Sequence, residues 1–337
     1  MNVIISKKLH ITFLLCSLLF ITILVNMNLG SIKLSPYEVI QTIFGFGTDQ
    51  SRLILFEFRL PRIILAILIG AGLAVSGVIL QSISENDLAE PGIIGINAGA
   101  GFGVILFIFF KKGNTFDALS FIEAMSIPVA AIIGGLFAAA ITFLIASRNG
   151  LTPIKLILVG VAVNAALQSV ILFVQMRMND SELTSAIVWL AGSIWVSNWD
   201  YVLSVIPWLA ILIPFVMYNA KTLDIIQLGE NNAIGLGVAL QLQRKLFILV
   251  AVILAGVAVS VGGGIAFVGL IAPHMARRLV GSSHNILIPV SLLIGSILVL
   301  FADTIGKNLL ENSEIPVGLL IAIIGAPYFI YLLMRTK

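Results

Sequence analysis

Few residues in this sequence have the type and spacing to do chemistry, and most known site geometries are excluded at once. The histidines His10, His274 and His284 lie far apart, and neither a His-Glu-x-x-His zinc helix nor a Gly-x-Ser-x-Gly nucleophile elbow occurs. Gly306-Lys307 is followed by Asn308 and lacks the glycine spacing of a phosphate loop, so ATP is not bound by that device. Cys16 is the single cysteine, which excludes intramolecular disulfides and cysteine-based metal sites. His274 follows Pro273 with no second ligand at a suitable spacing, so a packing or hydrogen-bonding role is expected for it. No catalytic residue, metal centre or cofactor is expected. What remains is a set of neutral polar groups in apolar surroundings: Asn97, Asn164, Gln168, Ser169 and Gln175. Asn164, Gln168 and Gln175 stand at i, i+4 and i+11 on one helical face, which suits the lining of a polar pathway. Hydrogen bonding between helices explains that face equally well.

The elements that must carry these groups are legible in the charge pattern. Of 337 residues 59% are hydrophobic and 10% charged, against about 25% charged in an ordinary soluble domain, which excludes a soluble fold. Windows free of Asp, Glu, Lys and Arg run over 9–32, 63–84, 91–110, 124–147, 156–176, 201–220, 246–276, 279–302 and 315–334. About 20 apolar residues at about 1.5 Å rise cross the ~30 Å hydrocarbon layer. The window 246–276 is broken by Gly262-Gly263-Gly264 and Pro273 and reads as two spans, so ten transmembrane helices are expected. The shorter stretch 183–199 holds Trp189, Trp195 and Trp199 and reads as an interfacial segment, with indoles at the headgroup level. Lys7-Lys8 ahead of an apolar run imitate a secretion signal, but no small-x-small cleavage site follows, so the first span is expected to be retained.

Ten spans put both termini on one side. With the termini cytoplasmic, eleven of the 19 Lys and Arg residues fall inside and eight outside, a slight positive-inside bias. The longest inner segment, about 220–245, spaces Leu223, Ile226, Leu228, Ala233, Leu236, Val238 and Leu240 as two short amphipathic helices joined near Gly229. Such a segment can lie on a partner protein or on the membrane surface. GAGLAVSG at 70–77 and LAGVAVSVGG at 254–263 echo each other in spans of opposite direction, as inverted repeats or as ordinary close-packing surfaces would. The charge-free spans disfavour proton or sodium coupling and a membrane-embedded enzyme alike.

Several motifs in order resemble the iron-siderophore and cobalamin family of ATP-binding-cassette importer permeases. They are Arg59-Leu60-Pro61-Arg62, GAGLAVSGVILQ, Asn86-Asp87-Leu88-Ala89-Glu90-Pro91-Gly92 and IGINAGA, followed by Leu228-Gly229-Glu230 with Ala233 and Leu236-Gly237. GGGIAFVGLIAPHMARRLVG at 262–281, Ala302-Asp303 and Glu314-Ile315-Pro316-Val317-Gly318 before GAPYFIYLL complete the series, from about Arg59 to the C-terminus. The resemblance implies an all-α integral membrane protein of the type II ABC importer permease fold, one transmembrane domain over 1–337 with ten helices and both termini cytoplasmic. It implies a permease of the bacterial cytoplasmic membrane that translocates a ferric siderophore. A corrinoid or haem is the alternative cargo within the family, and an ATP-independent secondary carrier the alternative outside it. The implied partners are a cytoplasmic ABC ATPase dimer, an extracellular substrate-binding protein and a second permease subunit, identical or paralogous; no nucleic acid is implied.

The resemblance also assigns residues. Arg59, Arg62 and Lys307 would dock the binding protein at the outer face, with Lys307 standing where the family usually has arginine. Asn86, Leu88 and Ala89 would form the cytoplasmic gate opposite the loop Ser147 to Leu151, although Asp87 replaces the proline that usually stiffens this motif. Within a coupling segment of about 222–240, Gly229, Glu230, Ala233, Gly235, Leu236 and Gly237 would seat in a cleft of the ATPase.

Overall fold

The computed structural model describes residues 2–30, 32, 34–92, 95–111, 121–148, 153–194, 197–310 and 313–335, and every regular element among them is helical. In chain order these are α1 (Asn2–Asn28), α2 (Pro36–Ile43), α3 (Asp49–Arg52), a π-helical stretch (Leu53–Arg59) and α4 (Leu60–Ile83). Then come α5 (Ile96–Lys111), α6 (Phe121–Ala146), α7 (Pro153–Gln175), α8 (Asp180–Leu190) and α9 (Trp199–Tyr218). The chain ends with α10 (Ala220–Ile226), α11 (Glu230–Gly235), α12 (Leu240–Gly262), α13 (Val268–Val280), α14 (His284–Gly306) and α15 (Val317–Arg335).

Each of the ten expected spans holds a helix. Eight, the longest running from Asp49 through α4 to Ile83, are long and apolar enough to cross a bilayer. The other two are shorter: α5 has 16 residues and α13 only 13. At about 1.5 Å per residue α13 reaches about 20 Å, less than the ~30 Å hydrocarbon thickness. The break between α12 and α13 falls at Gly263, whose φ of +68° suits glycine, and at Phe267, a non-glycine residue at φ +66°.

The hub of the bundle is α4, which packs on α12, α13 and α14. Small residues allow this approach. A Cβ on Gly70 would overlap the backbone of Gly295 in α14, and one on Gly77 would overlap Gly269 in α13. The two echoing segments prove to be one antiparallel contact: Gly72 faces Leu254 and Ala258, and Ser76 donates to the Ala251 carbonyl at 2.7 Å. Along the flank, α5 and α6 meet through Gly99, Gly103 and Gly134.

The segment read as interfacial is instead partly built into the protein. Asn179 and Glu182 form a capping box that starts α8, and Trp189 at its end is only 8% exposed. The reason is its backbone: the Trp189 carbonyl accepts from Gly264 N–H, and the Gly192 carbonyl accepts from Gly318 N–H at 2.9 Å, docking α8 onto the α12–α13 turn and the start of α15. Trp199 is half-buried, its indole donating to the Phe56 carbonyl at 3.0 Å. Trp195 lies outside the described residues.

Candidate functional site

Chemistry-bearing groups gather at the two ends of α4. At its start, the Arg59 side chain is buried and donates to the carbonyls of Met27 and Ile32, tying down the end of α1. One turn on, Arg62 donates through Nε to Asp303 at 2.8 Å and through both terminal nitrogens to Glu314, at 3.2 and 2.8 Å. Asp303 is fully buried, and its second oxygen accepts from Asn26 at 3.3 Å. Lys307 completes the ring by donating to the Asn26 side-chain oxygen at 2.7 Å. Burial pushes the Lys307 amine down to about 8. Arg59, Arg62 and Lys307 thus meet around one hollow of about 300 Å³, as their expected common role requires, but each is already engaged within the chain. Sequence reasoning missed Asn26 and Glu314; the signal for Asn26 was a polar residue inside the first apolar window.

At the other end the gate loop is built from short-range bonds. The Asn86 side chain accepts from Leu88 N–H at 2.9 Å, its carbonyl accepts from Ala89 N–H at 3.0 Å, and Ala89 is buried. Leu88 packs beside Leu270, Ile271 and Leu332. Asp87, standing where the resemblance expects proline, pairs with Arg277 at 2.6 Å, and Arg277 also donates to Gln81 at 3.1 Å. An ionic tether to α13 thereby holds the loop. Glu90 accepts the Phe267 N–H at 3.0 Å, satisfying one of the free donors at the start of α13, and burial pushes its carboxyl up to about 7. Of the loop 147–151 expected opposite, residues 149–151 lie outside the described residues.

The coupling segment forms the two helices expected, α10 and α11, with Gly229 at φ +94° between them and Gly237 at φ +82° after them. Its apolar residues divide. Leu223, Ile226, Ala233 and Leu240 are buried against the bundle, whereas Leu228, Ile234 and Leu236 are 57, 56 and 63% exposed. Around Gly235 and Gly237 nothing comes within 4 Å of where a Cβ would stand, so this tip is open. Arg244 of α12 bridges Glu230 at 3.2 Å and Glu85 at 3.3 Å, linking α11 to the end of α4.

Asn164, Gln168 and Gln175 all fall on α7, where their spacing keeps them on one face, whereas Asn97 and its partner lie elsewhere. Asn97 of α5 donates to the Ile265 carbonyl at 3.3 Å. On α7, Asn164 and Gln175 are half-buried while Gln168 and Ser169 are exposed among Leu158, Val161, Leu172 and Phe173. His274 packs edge-on to Tyr328, ring centres 5.9 Å apart, and neither ring nitrogen has a hydrogen-bond partner among the described residues. A separate cavity of about 460 Å³ lies between α8, α9 and α12, ringed by Thr184, Ser185, Ser193, Ser197, Tyr201 and Ser260 with Trp189 and Phe58, and among the described residues no charged side chain lines it.

The comparisons agree with this architecture. The chain is 51% identical over 327 residues to the iron(3+)-hydroxamate import system permease protein FhuG of Bacillus subtilis strain 168, covering 97% of this chain and 96% of that one. It is 38% identical to the iron-uptake system permease protein FeuC of the same organism, over 96% of this chain and 97% of that one. A solved structure described as an inward-facing, metal-chelate type ABC transporter superposes with a TM-score of 0.84 at 32% identity, covering 97% of this chain and 99% of the other. The model of the FecCD transport family matches residues 18–335, nearly the whole length over which these helices and motifs follow one another, and the chain belongs to that family.

Proposed function

We propose that the chain is the permease subunit of an ATP-driven importer that carries a ferric hydroxamate siderophore into the cytoplasm. The observation that carries this reading is the exposed apolar tip of Leu228, Ile234 and Leu236 on a segment whose other half is keyed into the bundle. A knob of this kind at a polar end of a membrane protein fits a cleft in a cytoplasmic ATPase dimer, and the chain itself lacks a phosphate loop. One transmembrane domain over 1–337 would cross ten times, α5 and α13 included, with both termini cytoplasmic. Gln168 exposed among large apolar side chains of α7 is too polar for lipid and suits a second permease subunit and a shared pathway. Asn86, Leu88 and Ala89 would close that pathway inside. At the outer hollow a carboxylate of the binding protein would compete for Arg62 with Glu314, the more exposed of its two acidic partners at 30%.

The hydroxyl-ringed cavity, whose described lining residues are uncharged, favours a neutral cargo. Three singly charged hydroxamates cancel Fe³⁺, whereas ferric catecholates and citrates keep net negative charge, which costs several kcal/mol to bury unpaired. The printed role of the hydroxamate permease at 51% identity points the same way. Uptake of ⁵⁵Fe-labelled hydroxamate, catecholate and citrate chelates, haem and cobalamin by a deletion strain and its complemented control tests this. Hydroxamate uptake restored by the gene is expected; restoration of another cargo alone overturns the substrate. Activity of the purified chain in liposomes without an ATPase would overturn the ATP-driven class.

A further inference from the structure

Beneath the coupling segment lies a buried chain of side chains that the motifs did not single out. Asp224 of α10 accepts on Oδ1 from both the His284 backbone N–H, at 2.9 Å, and ring Nδ1, at 2.6 Å. On the other side of the ring, His284 Nε2 meets Ser82 Oγ of α4 at 2.5 Å. Three helices distant in sequence, α10, α14 and α4, are thus joined through one imidazole. The order Asp–His–Ser is that of a hydrolase triad, yet Ser82 and His284 are both 0% exposed, so no substrate reaches the hydroxyl. Its bonding is complete in either ring state. A neutral ring, which donates its Nδ1–H to the Asp224 carboxylate, accepts the Ser82 O–H on Nε2; a protonated ring donates to Ser82 Oγ, whose own proton then goes to the Val78 carbonyl, 2.8 Å away.

We propose that Asp224–His284–Ser82 is the strut that passes movement of the coupling segment into α4 and so to the gate loop, with His284 a positioning residue for transport. The inference rests on the coupling role proposed above for α10 and α11. Two features single out this strut. The only other described ionic link from the segment to the end of α4, Arg244 between Glu230 and Glu85, uses longer bonds to acids that are 53 and 39% exposed, and such pairs yield to water and salt. Both links are dry at the centre, Arg244 at 3% and His284 at 0% exposed, but the His284 bonds are shorter, 2.6 and 2.5 Å, and its one acid, Asp224, is 35% exposed. Its far end is also well placed, because Ser82 stands in the last turn of α4, four residues before Asn86, the first residue of the loop expected to form the gate. Leu223 and Ile226, fully buried on either side of Asp224, keep α10 seated so that it moves as one piece with the strut.

The test uses the chain purified with its co-purifying ATPase and reconstituted in liposomes with the binding protein, measuring uptake and ATP hydrolysis together. Asp224→Ala acts at the half-exposed end and Ser82→Ala removes one oxygen from the other, so both leave the fold intact; His284→Ala removes the centre. The expected result is unchanged ATPase assembly, with uptake per ATP falling about tenfold for Asp224→Ala and His284→Ala and about threefold for Ser82→Ala. Asp224→Asn, which keeps the accepting oxygen, should recover most of the loss, and the Asp224→Ala/His284→Ala pair should be no worse than either alone. Uptake per ATP within twofold of wild type for Asp224→Ala and Ser82→Ala overturns the strut, as does a loss confined to the amount of protein in the membrane. Gly235→Trp separates the two readings. If it assembles and transports normally, the coupling role itself fails; if it blocks assembly while Asp224→Ala transports normally per ATP, the strut alone fails.

Discussion

The two ends of α4 are built from the same side-chain types in opposite ways. At the outer end the acid at the centre, Asp303, is 0% exposed and every cation around it is bonded to α1, α14 or the segment before α15. At the inner end the cations Arg244 and Arg277 are the buried members, while their acids Glu85, Asp87 and Glu230 are 39, 50 and 53% exposed. A buried ion pair is costly to break because a partner is stranded out of water, whereas a pair with one wet member exchanges readily. The first end is therefore built around a dry acid, with Glu314 its one wet member, and the second is a set of exchangeable ties, the arrangement that the proposed drive from the cytoplasmic side calls for.

The sharpest way to break this contrast is Asp303→Ala, which takes from Arg62 its buried acid and leaves it only Glu314, and leaves Asn26 only Thr304 as acceptor. It should cost about 1.5–3 kcal/mol, read as a drop in thermal midpoint in detergent; a change within error would mean that the ring is not built around this acid. Next is Glu90→Gln. The folded carboxyl is raised to about 7 from an unfolded value near 4.5, so the native state binds the extra proton and stability declines as pH rises through that window. Gln keeps an oxygen for Phe267 N–H, so the variant should lose this decline while staying folded, measured by thermal melts from pH 5 to 8. Smaller still is Asp87→Ala, worth at most about 1 kcal/mol and less at high salt, with the main change in transport rate. The smallest is Lys307→Arg. The Lys307 amine titrates near 8 when folded and near 10.5 when unfolded, so the unfolded chain holds more protons between those values and stability rises with pH there. Arginine stays charged and should flatten that rise in melts from pH 8 to 10.

The helices themselves were legible, because a scarcity of charge marks a hydrocarbon environment regardless of tertiary contacts. The coupling helices were legible too, since apolar spacing around Gly229 is local. Their division into buried and exposed apolar residues was not, because it depends on where α4 and α14 end. The polar networks were hidden for the same reason: Arg62 meets Asp303 across 241 positions, Ser82 meets His284 across 202, and Asp224 meets His284 across 60. The contacts of Trp189 were hidden as well, because an indole's liking for the headgroup level says nothing of the backbone bonds that dock α8 onto the α12–α13 turn. The substitution of Asp87 for proline looked like lost stiffness until Arg277 was found beside it.

The shortness of α13 has a consequence for how the protein is made. Thirteen residues are too few to be taken up by the membrane as an independent span, so α13 needs a receptacle waiting for it. That receptacle, Gly77, Pro91 and the Glu90 carboxylate, is synthesised some 177 residues earlier, and the chain that reaches Phe267 finds its first hydrogen-bond partner already in the bilayer. Order of synthesis thus becomes part of the folding instructions, and damage to Glu90 or Gly77 would be felt during assembly of the second half of the chain.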